Sequence, residues 1–273
     1  MGGHNGSMTA DATVHDPLLG VWATLGESRL TRELAGAGPG WVALDAQHGH
    51  FDDRSLREAL LHRPAGSAPM LVRVGANDPA LIGRALDAGA DGVVVPLVDS
   101  VADALAASSA SHYPPLGTRS WGPLHGSRPV HAPGGDAGPH AVPLCAVLIE
   151  TAAGLDAARD IAAVDGVDML FVGPFDLSLA LGLQVDELLA ATDDAAPLPR
   201  IVRACRDAGI TAGAYAGSPE RAALLAASGF HWIASTTDTA LLALGVAGLR
   251  ENLRRAASDQ SAQNSASAGN ALS

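Results

Sequence analysis

Short apolar segments alternate with longer amphipathic segments along most of the chain. Eight of the apolar segments resemble buried parallel strands, because they are hydrophobic on both faces and mostly bounded by glycine, proline or aspartate. We predict strands at residues 19–25, 41–45, 70–74, 92–96, 145–149, 169–173, 210–215 and 231–235. The amphipathic segments predict helices at residues 28–37, 54–62, 79–88, 100–108, 151–163, 198–208 and 219–228.

The ends of the predicted helices have recognisable signals. Asp78-Pro79 and Ser218-Pro219 each place a capping side chain before a proline at the first helical position. Several helices end on Ala-Gly or Ser-Gly shortly before the next strand, and such a glycine suits a left-handed C-cap. Eight repeated strand–helix units favour a single closed (β/α)8 TIM barrel over an open doubly wound sheet.

We expect the barrel to be one domain spanning residues 18–255. Residues 1–17 and 256–273 are predicted to be flexible tails, since they are polar and lack a periodic apolar pattern. The segment 120–143 interrupts the alternation and is a candidate active-site flap, rich in glycine, proline and histidine. Its histidines, His125, His131 and His140, are expected to be loop residues rather than zinc ligands.

The composition narrows the possible chemistry. The 273 residues have a net charge of -12, so neither nucleic acid nor an anionic membrane surface is an expected partner. All 17 basic residues are arginines, and the absence of lysine excludes a Schiff-base lysine, a P-loop lysine and a lysine general base. The two cysteines, Cys145 and Cys205, form no motif and fit a reducing cytoplasm. Neither a signal peptide nor a membrane span is predicted.

In a barrel of this kind, catalytic residues lie at the carboxyl ends of the strands. Two acids, Glu150 and Asp176, follow the fifth and sixth predicted strands. Singly, each is as readily a helix cap as a ligand, because acids are favourable at helix N-termini. Together we favour them as ligands of a hard divalent cation, since two carboxylates leave positions open for water and a chelating substrate.

Three further side chains are candidates for chemistry. Arg73 ends an apolar strand and is either a structural ion-pair partner or a group that holds a substrate carboxylate or oxyanion. His48 is the best candidate for a general base, because its unperturbed pKa of about 6.5 suits proton transfer; the alternative is an ordinary surface or core histidine. Asp87 opposes the helix dipole in the last turn of its helix, which indicates a specific partner or simple solvent exposure.

Several blocks of the chain resemble the HpcH/HpaI aldolase family. These metal-dependent class II pyruvate aldolases include 4-hydroxy-2-oxo-heptanedioate and 2-dehydro-3-deoxy-glucarate aldolases. The blocks occur in the family's order and read LDAQHGHFDD, NDPALIGRALDAGADGVVVPLVDSVADA, YPPLGTRSWGP and LIETAAGLDAARDIAAVDGVDMLFVGPFDLSLALG. The resemblance implies a phosphoenolpyruvate/pyruvate-type TIM barrel. It also implies a homo-oligomer, a hexamer or trimer of dimers. Within each dimer the two subunits exchange their last helix.

The resemblance also implies roles for individual residues. His48 falls on the catalytic base, Asp87 on the acid that strengthens this base, and Arg73 on the arginine that stabilises pyruvate. The implied metal ligands are Glu150 and Asp176. The remaining assignments are Asp45 near the metal-bound water, and Gly173, Pro174, Phe175 and Asp176 in the substrate-binding segment, where Phe175 offers its backbone amide.

The implied activity is cleavage or formation of 4-hydroxy-2-oxo acids, with pyruvate and an aldehyde as partners. The cofactor is Mg²⁺, Mn²⁺ or Co²⁺, and the reaction passes through a metal-bound enolate, which needs no lysine. Leu148 departs from the pattern, since related aldolases have a substrate-contacting glutamine there. The alternatives are an acyl-CoA lyase of the citramalyl/malyl-CoA type, an oxaloacetate decarboxylase and a non-catalytic barrel that binds a 2-oxo acid. A lysine-free acidic chain disfavours the first of these, and only Leu148 supports the last.

Overall fold

The computed structural model describes residues 17–124 and 142–270. Eight strands form the inner layer: β1 (Leu18–Ala23), β2 (Trp41–Asp45), β3 (Met70–Arg73), β4 (Gly92–Val95), β5 (Leu144–Ile149), β6 (Met169–Val172), β7 (Thr211–Tyr215) and β8 (Trp232–Thr237). The helices are α1 (Ser28–Gly36), α2 (Asp53–Leu61), α3 (Pro79–Asp87), α4 (Val101–Ser111), α5 (Ala152–Ala162), α6 (Pro174–Leu181), α7 (Val185–Ala190), α8 (Pro197–Ala208), α9 (Pro219–Ala227) and α10 (Asp238–Asn270).

The strands pair in chain order, and β8 pairs with β1 to close the barrel. All neighbouring pairs are parallel, so every strand ends at the same rim and the following helix returns along the outside. The predicted (β/α)8 barrel is therefore confirmed. This arrangement gathers the residues that follow β1 to β8 on one face, which we call the carboxyl face.

The local signals in the sequence form the expected caps. The Asp78 carboxylate accepts hydrogen bonds from the amides of Ala80 and Leu81 at the start of α3. Ser218 does the same for the Arg221 amide at the start of α9. At the helix ends, Gly89, Gly209 and Gly229 have positive φ angles of 104°, 72° and 95°, which residues other than glycine rarely adopt.

The core has two parts, one between the strands and the helices and one inside the barrel. The inner part contains an aromatic cluster of Trp22, Trp41, Phe171 and Trp232. Trp41 fits because β1 has glycine opposite it: a Cβ atom added at Gly20 would lie 2.3 Å from the Trp41 ring. The barrel is thus filled by rings, and these rings form the floor beneath the carboxyl face.

The last helix extends into the predicted C-terminal tail. α10 continues to Asn270, through the segment from residue 256 that we predicted to be flexible. Alanine recurs along this segment and has the highest intrinsic helix propensity, which favours a helix there. Nearer the barrel, α10 exposes an apolar stripe at Leu242, Val246, Leu249 and Leu253.

Some expectations fall outside the described residues. These are most of the N-terminal tail, the greater part of the candidate flap, and His125, His131 and His140 within it. Among the helices of the described ranges, none combines the length and the hydropathy needed to cross a lipid bilayer.

Candidate active site

The carboxyl face surrounds a cavity of about 220 Å³. This is smaller than the pockets of about 300–1,000 Å³ that take drug-sized ligands, so it suits a small molecule. The predicted site residues that line it are Asp45, His48, Arg73, Glu150, Gly173, Phe175 and Asp176. Leu148 also lines it, whereas Pro174 is buried at the first position of α6 and does not. The remaining lining residues are Trp22, Thr24, Phe171 and Tyr215.

Asp45 connects three walls of this cavity. Its carboxylate is 2% exposed and accepts five hydrogen bonds. Oδ1 accepts from the Gln47 amide at 3.0 Å, the His48 amide at 3.1 Å and Arg73 Nε at 2.9 Å. Oδ2 accepts from Trp22 Nε1 at 3.1 Å and from Arg73 Nη2 at 2.5 Å. One buried carboxylate therefore fixes the loop that contains His48, the guanidinium on β3 and the indole on β1.

The electrostatics of this ion pair favour the charged form of Asp45. Burial by itself raises the pKa of the carboxyl, but the hydrogen bonds and charge of Arg73 outweigh it and hold the pKa below its ordinary value. Arg73 also lies over the Trp22 ring, with its guanidinium carbon 5.1 Å from the ring centroid. Two of the five guanidinium N–H groups are occupied by Asp45, which leaves three for a ligand in the cavity. Arg73 is therefore an ion-pair partner that also lines the cavity, where its remaining N–H groups face the space a ligand would fill.

Glu150 is buried at the end of β5 and is held by the backbone of the neighbouring loop. Its Oε1 accepts a hydrogen bond of 2.9 Å from the Leu97 amide. Leu97 has a φ angle of 53°, a left-handed conformation that costs about 1 kcal/mol or more for a residue other than glycine. Burial, reinforced by the negative charge of Asp176, raises the pKa of Glu150 despite the Leu97 hydrogen bond.

The carboxylates of Glu150 and Asp176 both lie close to Gly173. A Cβ atom added at Gly173 would lie 3.1 Å from Glu150 Oε2 and 3.9 Å from Asp176 Oδ2. Glu150 does not cap α5, because Thr151 fills that role by accepting a hydrogen bond from the Gly154 amide. Asp176 lies in the first turn of α6, without a side-chain bond that caps the helix. The cap interpretation is thus excluded for Glu150.

These two carboxylates fit a hard cation that keeps several non-protein ligands. Within residues 17–124 and 142–270, no cluster of three or more His, Cys, Asp or Glu side chains has the arrangement of a metal site. A closed zinc-type site is therefore absent from the described part of the chain. A magnesium-type site needs only one or two carboxylates, with water and substrate as the other ligands, and the Glu150–Asp176 pair meets this requirement.

Substitution of Gly173 with alanine is expected to weaken metal binding about tenfold. The added methyl group has to displace the Glu150 carboxylate, and changes in the surroundings of metal ligands typically cost about 10–100-fold in affinity. Titration calorimetry with Mn²⁺ measures the effect. Gly75→Ala is a matched control on the same face, since its new Cβ atom would lie an ordinary 3.5 Å from the Ala46 carbonyl oxygen. Equal affinities of Gly173→Ala and the wild type would contradict the assignment.

Asp87 is not brought to this cavity within one chain. It is the last residue of α3, and this helix runs from the carboxyl face back toward the start of the strands. Its carboxylate instead pairs with Arg119 Nη2 at 2.7 Å. Within one chain Asp87 therefore does not line the cavity with His48, because helix and strand run in opposite directions. The specific partner that its position indicated is Arg119.

Sequence reasoning missed several residues that shape the cavity. Trp22, Phe171 and Tyr215 look like ordinary core residues in an apolar strand pattern, and the Leu97 amide has no sequence signal. Tyr215 differs from Trp22 and Phe171 in having a sequence signal, because it is the last residue of the predicted seventh strand. Applying the strand-end rule to that strand would have found it.

Comparison with known proteins agrees with the geometry. Residues 18–244 match the HpcH/HpaI aldolase/citrate lyase family. A 2-dehydro-3,6-dideoxy-6-sulfogluconate aldolase of Pseudomonas putida is 35% identical over 225 residues, which cover 82% of this chain and 88% of that protein. A hydroxypyruvate/pyruvate aldolase of Paraburkholderia phytofirmans is 36% identical over 235 residues, with the same coverage of 82% and 88%.

A solved structure gives the same result. The crystal structure of an HpcH/HpaI aldolase/citrate lyase family protein from Burkholderia cenocepacia superposes with a TM-score of 0.73 at 30% sequence identity. The match covers 88% of this chain and 95% of that one. Both the sequence and the fold therefore match over most of their length. The chain belongs to the HpcH/HpaI aldolase/citrate lyase family.

Proposed function

We propose that this protein is a divalent-metal-dependent aldolase that cleaves or forms 4-hydroxy-2-oxo acids, with pyruvate and an aldehyde as the smaller partners. The observation that carries the proposal is one small cavity in which the Glu150–Asp176 carboxylate pair, Arg73 and His48 all line the wall. The similarity to proteins named as a 2-dehydro-3,6-dideoxy-6-sulfogluconate aldolase and a hydroxypyruvate/pyruvate aldolase supports the same substrate class.

Glu150 and Asp176 are the residues that would hold the cation. Their oxygen donors suit Mg²⁺, Mn²⁺ or Co²⁺ alike. Bound there, the cation supplies positive charge beside the oxygens of the oxo acid. The raised pKa of Glu150 agrees with a buried carboxylate pair in which positive charge would be favourable.

Arg73 stabilises the negative charge that develops on the C2 oxygen when the bond between C3 and C4 breaks. Because the Asp45 carboxylate holds Nε and Nη2, the remaining N–H groups are fixed before the substrate binds. The first amides of α6, including that of Phe175, have no partner within the helix and suit the substrate carboxylate.

His48 accepts the proton of the C4 hydroxyl as the C3–C4 bond breaks to give the aldehyde and an enolate, and the enolate takes up one proton at C3 to become pyruvate. In synthesis C3 loses that proton and His48 returns its own to the new C4 oxygen. Its side chain is exposed to the cavity and its backbone amide is held by Asp45, so the ring is free to meet the substrate. Asp87 can assist this base only from a second copy of the chain, because within one chain Asp87 and His48 are at opposite ends of the barrel. The exposed apolar stripe of α10 supports such an assembly.

The test is pyruvate release from a panel of 4-hydroxy-2-oxo acids. Metal-stripped protein is assayed alone and after addition of Mg²⁺, Mn²⁺ or Co²⁺. We expect release only with metal. No release with any metal or substrate in the panel would contradict the proposed function.

Replacement of His48 with glutamine distinguishes proton transfer at the C4 hydroxyl from stabilisation of the enolate. We expect aldol cleavage to fall at least 100-fold, because general acid–base catalysis typically contributes about 10²–10⁴-fold. Oxaloacetate decarboxylation needs the same enolate stabilisation but has no hydroxyl proton to move, so it should persist. His50→Gln is the matched control, since His50 is also exposed but lies on a separate groove between α1 and α2. Equal losses in both variants would contradict the role of His48.

A further inference from the structure

Asp238 follows β8 as the first residue of α10, and it is only 4% exposed. Its carboxylate accepts one hydrogen bond from the amide of the next residue, Thr239, at 2.9 Å. Three others come from the loop after β1. Oδ2 accepts from the amides of Thr24 at 3.0 Å and Leu25 at 2.9 Å, and Oδ1 accepts from the Thr24 hydroxyl at 3.1 Å. One buried carboxylate therefore joins the end of the last strand to the end of the first.

The Asp238 carboxylate is not needed to start α10. Thr237 is the N-cap of this helix, because its hydroxyl oxygen accepts a hydrogen bond of 3.1 Å from the Ala240 amide. Nor does Asp238 form an ion pair with any arginine or histidine of the described ranges. A buried carboxylate is costly unless it is hydrogen-bonded, and most of its donors here belong to the loop after β1. The main effect of Asp238 is therefore to hold that loop.

The loop after β1 in turn contacts the loop after β2, which contains His48. The Thr24 carbonyl accepts a hydrogen bond of 2.8 Å from the His50 amide. The two backbones also touch directly. A Cβ atom added at Gly26 would lie 2.3 Å from the His50 carbonyl oxygen, and one added at Gly49 would lie 3.1 Å from the Thr24 carbonyl oxygen. Any shift of the loop after β1 therefore disturbs the loop after β2.

The segment that contains His48 thus has two supports. Its own amide donates to Asp45, which belongs to β2, and two residues later the chain is held by the Thr24 carbonyl. Asp45 and Thr24 line the cavity, whereas Asp238 does not. Asp238 therefore supports the segment from behind the cavity wall, where it has no contact with a substrate.

We infer that Asp238 is a positioning residue for His48: by holding the loop after β1 it fixes the loop after β2, from which His48 reaches the cavity. The inference rests on the proposed function, in which His48 moves the proton of the C4 hydroxyl. The groups proposed to hold the oxo acid, Arg73, Glu150 and Asp176, follow other strands and have no bond to either loop residue that Asp238 holds. Loss of the Asp238 carboxylate should therefore impair proton transfer and spare binding of the oxo acid.

The test is Asp238→Asn in the metal-loaded protein. The amide nitrogen is a donor, so it cannot replace a carboxylate oxygen that accepts from Thr24 and Leu25. We expect kcat for cleavage of a 4-hydroxy-2-oxo acid to fall at least tenfold, because a displaced base loses part of the roughly 10²–10⁴-fold that acid–base catalysis contributes. KM should change less than about threefold, since the groups that bind the oxo acid are kept. Oxaloacetate decarboxylation should stay within about twofold of wild type, because it has no hydroxyl proton to move.

A double variant tests whether Asp238 acts through His48. In the His48→Gln background, Asp238→Asn should reduce cleavage less than about twofold further, because the group that it positions is already gone. A full additional loss of tenfold or more would show that Asp238 acts by another route, and would overturn the inference.

Gly26→Ala disturbs the same contact while Asp238 is kept. Its methyl group has to push the His50 carbonyl away, so cleavage should again fall while decarboxylation persists. This variant decides the question if Asp238→Asn does not fold, and Tm of each metal-free variant verifies the fold. Loss of both activities together in folded Gly26→Ala would contradict the coupling between the two loops.

Asp91→Asn is the matched control. Asp91 is also buried, but it lies just before β4 at the opposite end of the barrel, where it accepts hydrogen bonds of 2.7 Å from the Met70 amide and from Arg63 Nη2. This variant should lower Tm and leave the ratio of cleavage to decarboxylation unchanged. A changed ratio in Asp91→Asn would mean that any loss of a buried acid alters it, and would overturn the specific role of Asp238.

The remaining outcomes separate this inference from the proposed function. Equal losses of cleavage and decarboxylation in Asp238→Asn, or no loss of cleavage, would overturn the positioning role while leaving the aldolase function standing. A wild-type protein that releases no pyruvate from any 4-hydroxy-2-oxo acid would contradict the aldolase function, and the inference with it.

Discussion

Replacement of Asp45 with asparagine is expected to lower the free energy of unfolding by about 3–5 kcal/mol, the usual result of removing one partner of a buried ion pair. The Arg73 side chain is only 12% exposed and would keep its charge without a counter-ion. The neutral amide cannot accept all five hydrogen bonds that the carboxylate now accepts, because its nitrogen is a donor. Urea denaturation measures the change.

The same substitution should reduce aldol activity at least 100-fold in the protein that remains folded. Asp45 holds both Arg73 and the loop that contains His48, and small displacements of catalytic groups cost about 10²-fold. Asp53→Asn is the control, since Asp53 pairs with Arg84 and Arg57 at the surface. Surface ion pairs contribute little, so this variant should resemble the wild type. Similar destabilisation of both variants would contradict the claim that the buried Asp45–Arg73 ion pair stabilises the fold more than a surface pair does.

Replacement of Glu150 with glutamine should have opposite effects on activity and on metal-free stability. We expect metal-dependent activity to fall about a thousandfold, because the cation contributes several kcal/mol to stabilising the transition state. Mn²⁺ should raise the Tm of the wild type but not that of the variant, since a ligand stabilises only the state that binds it.

Without metal, the variant should be the more stable protein at neutral pH. Burial and the charge of Asp176 raise the pKa of Glu150 in the folded state above its ordinary value of 4.5. A raised pKa means that the contribution of Glu150 to stability is fully present below pH 4.5 and is lost as the pH rises through the folded-state pKa. The difference in Tm between Glu150→Gln and wild type should therefore be clear at pH 7 and shrink on acidification.

Glu58→Gln is the corresponding control, because Glu58 is half-exposed on α2 and pairs only with groups at the surface. It should change neither activity nor the pH dependence of Tm. If Mn²⁺ stabilised Glu150→Gln as much as wild type, Glu150 would not be a metal ligand.

The fold was predictable because its signals are local. Each strand is a short apolar run, and caps such as Asp78 and Ser218 lie next to the helices that they start. The strand-end rule also located His48, Arg73, Glu150 and Asp176 on one rim before any coordinates were known. The segment from residue 256 was predicted as a tail because serine, asparagine and glutamine are frequent in it, whereas its alanines favour the helix that continues through it.

Other features of the site depend on contacts that no local pattern encodes. Sequence alone left Arg73 between an ion-pair partner and a substrate group; the structure shows the ion pair with Asp45 and places Arg73 in the cavity wall. The resemblance gives Asp87 the role of the acid that strengthens the base, and only the structure shows that the reversal of direction between β3 and α3 takes it away from the cavity of its own barrel. The strand-end rule also applies to Tyr215, but only the structure shows that it lines the cavity.

The sequence by itself therefore determined the barrel and the residues on its rim, because the periodicity of strands and helices is set by neighbours a few positions apart. The tertiary structure decided how those residues are held. Asp45 and Arg73 are 28 positions apart, and the Leu97 amide is 53 positions from Glu150. Such pairs meet only when the barrel closes, since closure is what brings the ends of successive parallel strands together.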